Sequence, residues 1–507
     1  MEKMFIPRSS RVPILVVLCD LFILIVYVWL ISFGTWIRWP VTSIYYDQLA
    51  TAFEHRSFSL ETEPNQALLA LSDPYDPAQR AGISFLKDAS LYNGRYYLYF
   101  GPIPALILAL FKYMGLRQLG DQYIVFAFVS GILIFQSLLI HKVWKLFFQN
   151  IPVWILLSVT LLGGLISPLT WILTQARIYE AAASGGQFFF LAGFYFIVSA
   201  LEQKSAAKKD FLLFTGGVLW MLAIGSRLTQ ILPIGFVIMM VAVFMIREPG
   251  RNKEGTPGAI LAIELLCGPV ILGLAVLARY NWARFHSVFE SGLSYQLAGL
   301  DLQGNSRFLF SPLYTLSNLY GYLVMPPQVN RIFPFLESIP GTGASIFSFI
   351  TLPQIYYNNV LTGLLLSTPF ILFAGVCAVT LVLGKKYSMG LASWVEDLHF
   401  FRWLIVALSG SFLFGFIPFV FFFWVAAHYQ TDFVPSLVIL SIIGFWQGYN
   451  LTAHKSGVIH KIYVSAGIIL IVVSIAISIL LVLSAHADKF HKFNRVPWEF
   501  LTRLFSP

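Results

Sequence analysis

Charge is what this chain has least of. Only 11% of its 507 residues are Asp, Glu, Lys or Arg, while 58% are hydrophobic and the mean hydropathy is +0.75. Soluble domains carry about a quarter of charged residues, so an ordinary soluble protein is excluded. Cysteine is scarce too. Cys19, Cys267 and Cys377 all lie inside apolar runs, which implies neither a disulfide framework nor a thiolate metal site. The chain has no low-complexity tract and no strong internal repeat, which counts against an inverted-repeat transporter. It also lacks the short alternating strands of a membrane β-barrel.

What the chain does contain is a series of apolar runs long enough to cross about 30 Å of hydrocarbon, each helical because lipid cannot satisfy a free backbone. The expected fold is an all-α polytopic membrane protein, a single domain over 1–507 with about eleven transmembrane helices. They are expected near 12–36, 121–140, 151–174, 181–201, 211–227, 229–246, 257–278, 357–384, 403–425, 433–450 and 461–484. Lys3, Arg8 and Arg11 precede the first run, which reads as a retained signal anchor with a cytoplasmic N-terminus. Short basic connections such as HKVWK (141–145) and EQKSAAKKD (202–210) then fall inside the cell. This assignment requires Leu98 to Tyr113, which contains Pro102 and Pro104, to be a juxtamembrane or re-entrant helix. Two long segments, 35–120 and 279–356, and the tail 485–507 lie on the extracytoplasmic face of a cell inner membrane. The basic tail fits that side poorly. The net charge of +9 is read as topology signal, with no nucleic-acid partner.

The first outer segment gathers most of the chemistry. Asp47, in YYDQLATAF, is a candidate general base at the rim of an apolar site, since partial burial raises a carboxyl toward working pH. Asp88, in KDASLYNGRYY, is a second candidate, flanked by Lys87 and Arg95 for a phosphate and by Tyr97 for stacking on a sugar. Asn93-Gly94 marks a tight turn there. Asp73 and Asp76, with Glu61 and Glu63 nearby, make a divalent cation conceivable, although Asp-Pro pairs are ordinary turn formers. Further along, Arg177 and Glu180 lie one helical turn apart, placed to pair with each other or to enter one outward-facing pocket with Asp47. Arg227, between two apolar spans, needs a carboxylate, a headgroup or a phosphate. Arg279 opens the second outer segment. His428 and Asp432, four apart, read as a hydrogen-bonded pair at another outer rim, too few for a zinc site.

In their serial order, YYDQLATAF (45–53), YFGPIPALILALFKYMG (99–115), SPLTWILTQARIYEAAASGG (167–186) and HYQTDFVPSL (428–437) resemble the GT-C superfamily of integral-membrane glycosyltransferases. That group contains protein O-mannosyltransferases and lipid A aminoarabinose transferases, and the later segments look like those of uncharacterised bacterial relatives. The resemblance implies a GT-C fold with a long first outer loop carrying juxtamembrane helices. It also implies inverting hexosyl or pentosyl transfer from a polyprenyl-phosphate sugar, at the outer face among membrane lipids, to a lipid, glycan or protein acceptor. An acid in the first outer loop acts as base in such families. Here Thr42 stands about where that acid is expected, with Asp47 beyond it, and Gly101 replaces a lysine beside the two prolines. Phosphate binding then falls to Arg95, Arg227 or Arg279. The rival readings are an O-antigen ligase or polymerase and a flippase or transporter of lipid-linked sugars.

Overall fold

The computed structural model describes residues 12–116, 118–247, 255–340, 350–382, 398–453 and 457–505. Among these, ten helices are long and apolar enough to cross a membrane: Val12–Ile31, Asp121–Phe147, Val153–Gln175, Ile178–Glu202, Ala206–Ser226, Leu228–Arg247, Gly258–Phe285, Leu398–Phe421, Val434–Ala453 and Gly457–Ala485. The chain is an α-helical, multi-pass membrane protein. Each of the ten falls on an expected span.

The expected span at 357–384 takes another form. It begins as two short extended pieces, Tyr357–Asn358 and Val360–Leu361, which pair with strands elsewhere in the chain. It becomes helical only from Leu364, as the single turn Leu364–Ser367 followed by an apolar stretch of 369–380. Asn358 and Asn359 break the run, because polar side chains compete for backbone hydrogen bonds. From there the stretch follows the Val434–Ala453 helix in parallel. Ser441 Oγ donates to the Ile371 carbonyl at 3.3 Å, and Gln447 Nε2 donates to Thr380 Oγ1 at 3.3 Å. The end of this expected span lies outside the described residues.

Residues 98–113 do not form a full span. The helix Ile103–Tyr113 has 11 residues, with proline at its start, and reaches about 16 Å. It packs on the amphipathic helix Tyr45–Glu54. Just before it, a Cβ on Gly101 would meet the carbonyl oxygen of Gly225. The backbone here lies directly on the end of the Ala206–Ser226 helix, so position 101 has no room for a side chain.

Polar groups separate the two ends of the helix bundle. At one end an ion pair, Lys142 to Glu202 at 2.6 Å, joins two helices, and Asn150 donates to Asn450 at 2.6 Å. The opposite end carries the long connections. Among them is the hairpin Ser90–Tyr92 with Arg95–Tyr97, whose two-residue turn places Asn93 and Gly94 at positive φ, 48° and 70°. That Asn-Gly turn matches the strand twist, as two-residue hairpins require. Between the ends the core is aromatic, with Trp220, Trp446, Tyr27 and Phe190 almost without exposure.

Candidate active site

A cavity of about 680 Å³ opens at the end with the long connections. Asp88 enters from the loop before the hairpin. Its φ is 65°, and its backbone N–H donates to the Leu297 carbonyl at 3.0 Å. Aspartate tolerates this left-handed region better than most residues. The site thus holds its acid in a sparsely populated backbone conformation, as functional sites often do. Tyr179 hydrogen-bonds the carboxylate, and Lys87, Arg177 and Arg80 lie close enough to favour its charge, but burial outweighs them and raises the Asp88 pKa.

Arg177, Tyr179 and Glu180 come from the junction of two spans. The helix Leu169–Gln175 ends at Ala176 in the left-handed conformation, and Arg177 then caps the helix Ile178–Glu202. Glu180, 4% exposed, accepts the backbone N–H of Arg177 at 3.2 Å. A carboxylate in the first turn also suits the positive end of the helix dipole. The two residues therefore meet through the backbone, and the guanidinium of Arg177 makes no ion pair among the described residues. Arg177 is exposed and lines the cavity, as Lys87 does.

His428 completes this wall. Its Nδ1 lies 3.8 Å from Glu180 Oε1, and its ring is 5.2 Å from that of Tyr179. Burial, with Arg227 and Arg177 nearby, pushes its pKa down to about 3, so the imidazole is neutral. Its Nε2 is buried without a hydrogen-bond partner among the described residues. The expected pairing of His428 with Asp432 does not form. Asp432 faces the other side of the short 427–432 helix and accepts from Arg227 Nε at 2.7 and 3.0 Å, Gln230 Nε2 at 3.0 Å and Thr229 Oγ1 at 3.3 Å. A buried guanidinium needs such an anion.

Arg227 lines a second, more apolar pocket of about 310 Å³, together with Ile224, Leu228, Leu277 and Phe419. The two cavities share Tyr99, Leu293, Phe422 and Tyr429 as a common wall. Asp432 engages only Nε of Arg227, and the two terminal nitrogens have no hydrogen-bond partner among the described residues.

Asp47 lines neither cavity. It pairs with Lys112 at 2.8 Å and accepts the Leu119 N–H at 3.1 Å, tying the helices Tyr45–Glu54 and Ile103–Tyr113 together. Arg177 and Glu180 thus share their pocket with Asp88, where a shared pocket with Asp47 was expected. A physical cause is visible. Lys112 lies on the helix that packs against Tyr45–Glu54 and captures the carboxylate first. Asp47→Asn should leave turnover within a few-fold of wild type while lowering the thermal midpoint, measured by transfer assay and melting of the purified protein.

The other expected binding residues stand apart. Arg95 is exposed at the hairpin, Tyr97 packs its ring 5.4 Å from Phe285, and Arg279 stacks 4.7 Å over Trp282. Asp73 and Asp76 each spend an oxygen on a turn, accepting from Tyr75 N and Ala78 N at 2.9 Å. Among the described residues no three His, Cys, Asp or Glu form a metal-binding group.

Sequence reading missed Tyr179, Tyr429 and Asp121. The two tyrosines sit beside residues that were singled out, and that adjacency was the available signal. Asp121 is fully buried and accepts the Tyr46 N–H at 3.1 Å and the Ser43 hydroxyl. It anchors the start of the Tyr45–Glu54 helix, and nothing in its local sequence marks it.

The fold and site thus define a helical membrane protein with an acid-lined cavity beside an apolar pocket. No protein-family model matches the chain, and no curated protein matches it. Two solved structures are similar. One is the Archaeoglobus fulgidus oligosaccharyltransferase in the apo form, with a TM-score of 0.47 and 12% identity, covering 97% of this chain and 60% of that one. The other is the archaeal oligosaccharyltransferase AglB from Archaeoglobus fulgidus in complex with an inhibitory peptide and a dolichol-phosphate. Its TM-score is 0.40 at 11% identity, covering 98% of this chain and 60% of that one. This chain therefore spans about 60% of their length. Neither similarity bears on the assignment of the site.

Proposed function

We propose that the chain is a membrane glycosyltransferase that moves a hexosyl or pentosyl unit from a polyprenyl phosphate to a hydroxyl of a lipid, glycan or protein acceptor. One observation carries this reading. An acid-lined cavity shares a wall with an apolar pocket in which Arg227 presents free guanidinium nitrogens. A lipid-phosphate sugar needs that sequence of surfaces: apolar walls for the first isoprene units, a cation for the phosphate and a polar chamber where sugar and acceptor meet.

In a single displacement, the acceptor oxygen bonds to the anomeric carbon as the bond from that carbon to the phosphate oxygen breaks. The phosphate leaves with the electron pair, and its charge is stabilised by Arg227. The hydroxyl proton goes to the base. Glu180 is occupied in capping the Ile178–Glu202 helix, which leaves Asp88 and His428 as the half-buried cavity groups for that role. A base works best near the operating pH. Burial raises Asp88 toward it but takes His428 away, to about 3. Asp88 is therefore the base, and His428 offers its unpartnered Nε2 to a substrate hydroxyl. The positive-inside pattern of the sequence supports an extracytoplasmic site.

The test uses purified protein in proteoliposomes with a panel of radiolabelled polyprenyl-phosphate sugars and a membrane extract as acceptor. Label should leave the lipid phosphate and appear on an acceptor only with protein present. If folded protein consumes no member of the panel, the reading fails.

A further inference from the structure

The tail is the part of the molecule whose charge contradicts its side. The Gly457–Ala485 helix ends with Ser484 and Ala485 lining the large cavity, so residues beyond it emerge at the cavity end of the bundle. The basic connection around Lys142 and Glu202 lies at the other end. Yet the tail carries Lys489, Lys492, Arg495 and Arg503 against Asp488 and Glu499. Orientation of the bundle does not account for this charge.

The last helix, Arg495–Phe505, has three distinct faces. Trp498, half-buried, and Phe505, still 49% exposed, lie with their rings 5.5 and 5.7 Å from Phe333, and Trp498 also stacks 5.7 Å from Phe490. Arg495, Glu499 and Arg503 repeat every four residues as a charged stripe, the arginine side chains being 71% and 84% exposed. Val496, Phe500 and Leu504 repeat at the same interval on a third face and are 78%, 63% and 60% exposed. The tail is held in place because Asn494 donates to the Gly34 carbonyl at 2.9 Å and Phe493 stacks 5.8 Å from Phe33. Trp36 and Ile37, just beyond that anchor, are exposed as well.

We propose that this tail is an interfacial anchor that binds the anionic phospholipid surface at the mouth of the cavity. Asn494 is held against Gly34, three residues past the Val12–Ile31 span, so the last helix starts close to the bilayer. With an apolar stripe beside a cationic one, it lies in the interface, its apolar face among the acyl chains and its cations at the headgroups. Lys and Arg side chains near an anionic surface are attracted to it. The inference stands on the tail's geometry and does not depend on the transferase reading.

The test places nitroxide labels by Phe500→Cys, Leu504→Cys, Arg495→Cys and Arg503→Cys, singly, in protein whose native cysteines are replaced by alanine. The protein is reconstituted in phosphatidylcholine vesicles with and without phosphatidylglycerol. With phosphatidylglycerol, the labels at 500 and 504 should relax with oxygen and be shielded from a water-soluble nickel chelate, and those at 495 and 503 should behave the opposite way. Removing phosphatidylglycerol, or raising salt, should increase nickel access at 500 and 504 several-fold. Nickel access at those positions in phosphatidylglycerol vesicles would overturn the proposal, as would shielding from both relaxers, which means a protein surface covers the stripe. Shielding indifferent to phosphatidylglycerol and salt would overturn the anionic part. None of these arms requires removing more than one charge from the tail.

Discussion

Replacing Asp88 with asparagine is expected to lower sugar transfer by about 100-fold or more, the usual range for loss of a general base, while the purified protein melts at the wild-type temperature or above it. The two halves of this expectation have one cause. Burial raises the Asp88 pKa above its ordinary value, so the folded state holds the proton more tightly than the unfolded chain does. Its ionised carboxylate therefore works against folding. In sign, stability from this group is present below the ordinary carboxylate pKa and is lost as pH rises through the raised folded value. Asparagine keeps the shape and the Tyr179 contact and removes that burden. In wild type, the same shift should move the acid limb of the kcat/KM profile above the ordinary aspartate range of about 4. The limb should vanish from the residual activity of Asp88→Asn.

Asp432→Ala should have the opposite character, a large loss of stability. Arg227 is 7% exposed and Asp432 2%, so removing the carboxylate strands a guanidinium among Phe419, Tyr429 and the ends of two spans. Breaking such a buried pair costs about 3–5 kcal/mol, most of it for the charge left behind. Gln230 and Thr229 lose their acceptor in the same step. The double variant Asp432→Ala with Arg227→Leu should recover much of that loss, since no charge is then stranded. Unfolding of the purified protein in detergent, run as a double-mutant cycle, measures both. A double variant no more stable than Asp432→Ala alone would show that Arg227 is not held by this pair.

The contrast between these acids shows what could be read in advance. The spans were legible because hydrocarbon demands about twenty apolar residues in helical form, and 121–147 or 457–485 satisfies that without reference to any neighbour. Asp88, Arg177, Glu180 and His428 were legible as candidates because ionisable side chains between spans are rare in so apolar a chain. Which of them meet was not. Arg227 finds its carboxylate 205 residues away in sequence, and Asp47 loses its carboxylate to Lys112 on a helix that sequence marks only as apolar. Two acids of the 35–120 segment, Asp47 the first candidate for the base and Asp88 the second, are separated by packing, because one faces a lysine and the other a cavity. The span expected at 357–384 starts later than expected for a local reason: its first residues pair as strands before the helical stretch begins.

The central claim is that Asp88, and not Asp47, takes the acceptor's proton. The direct measurement is transfer from a radiolabelled polyprenyl-phosphate sugar by purified wild type, Asp88→Asn and Asp47→Asn under identical conditions, with melting curves for each. This account predicts near-complete loss in folded Asp88→Asn and turnover within a few-fold of wild type in Asp47→Asn. Undiminished transfer by Asp88→Asn, or its selective loss in folded Asp47→Asn, would contradict it.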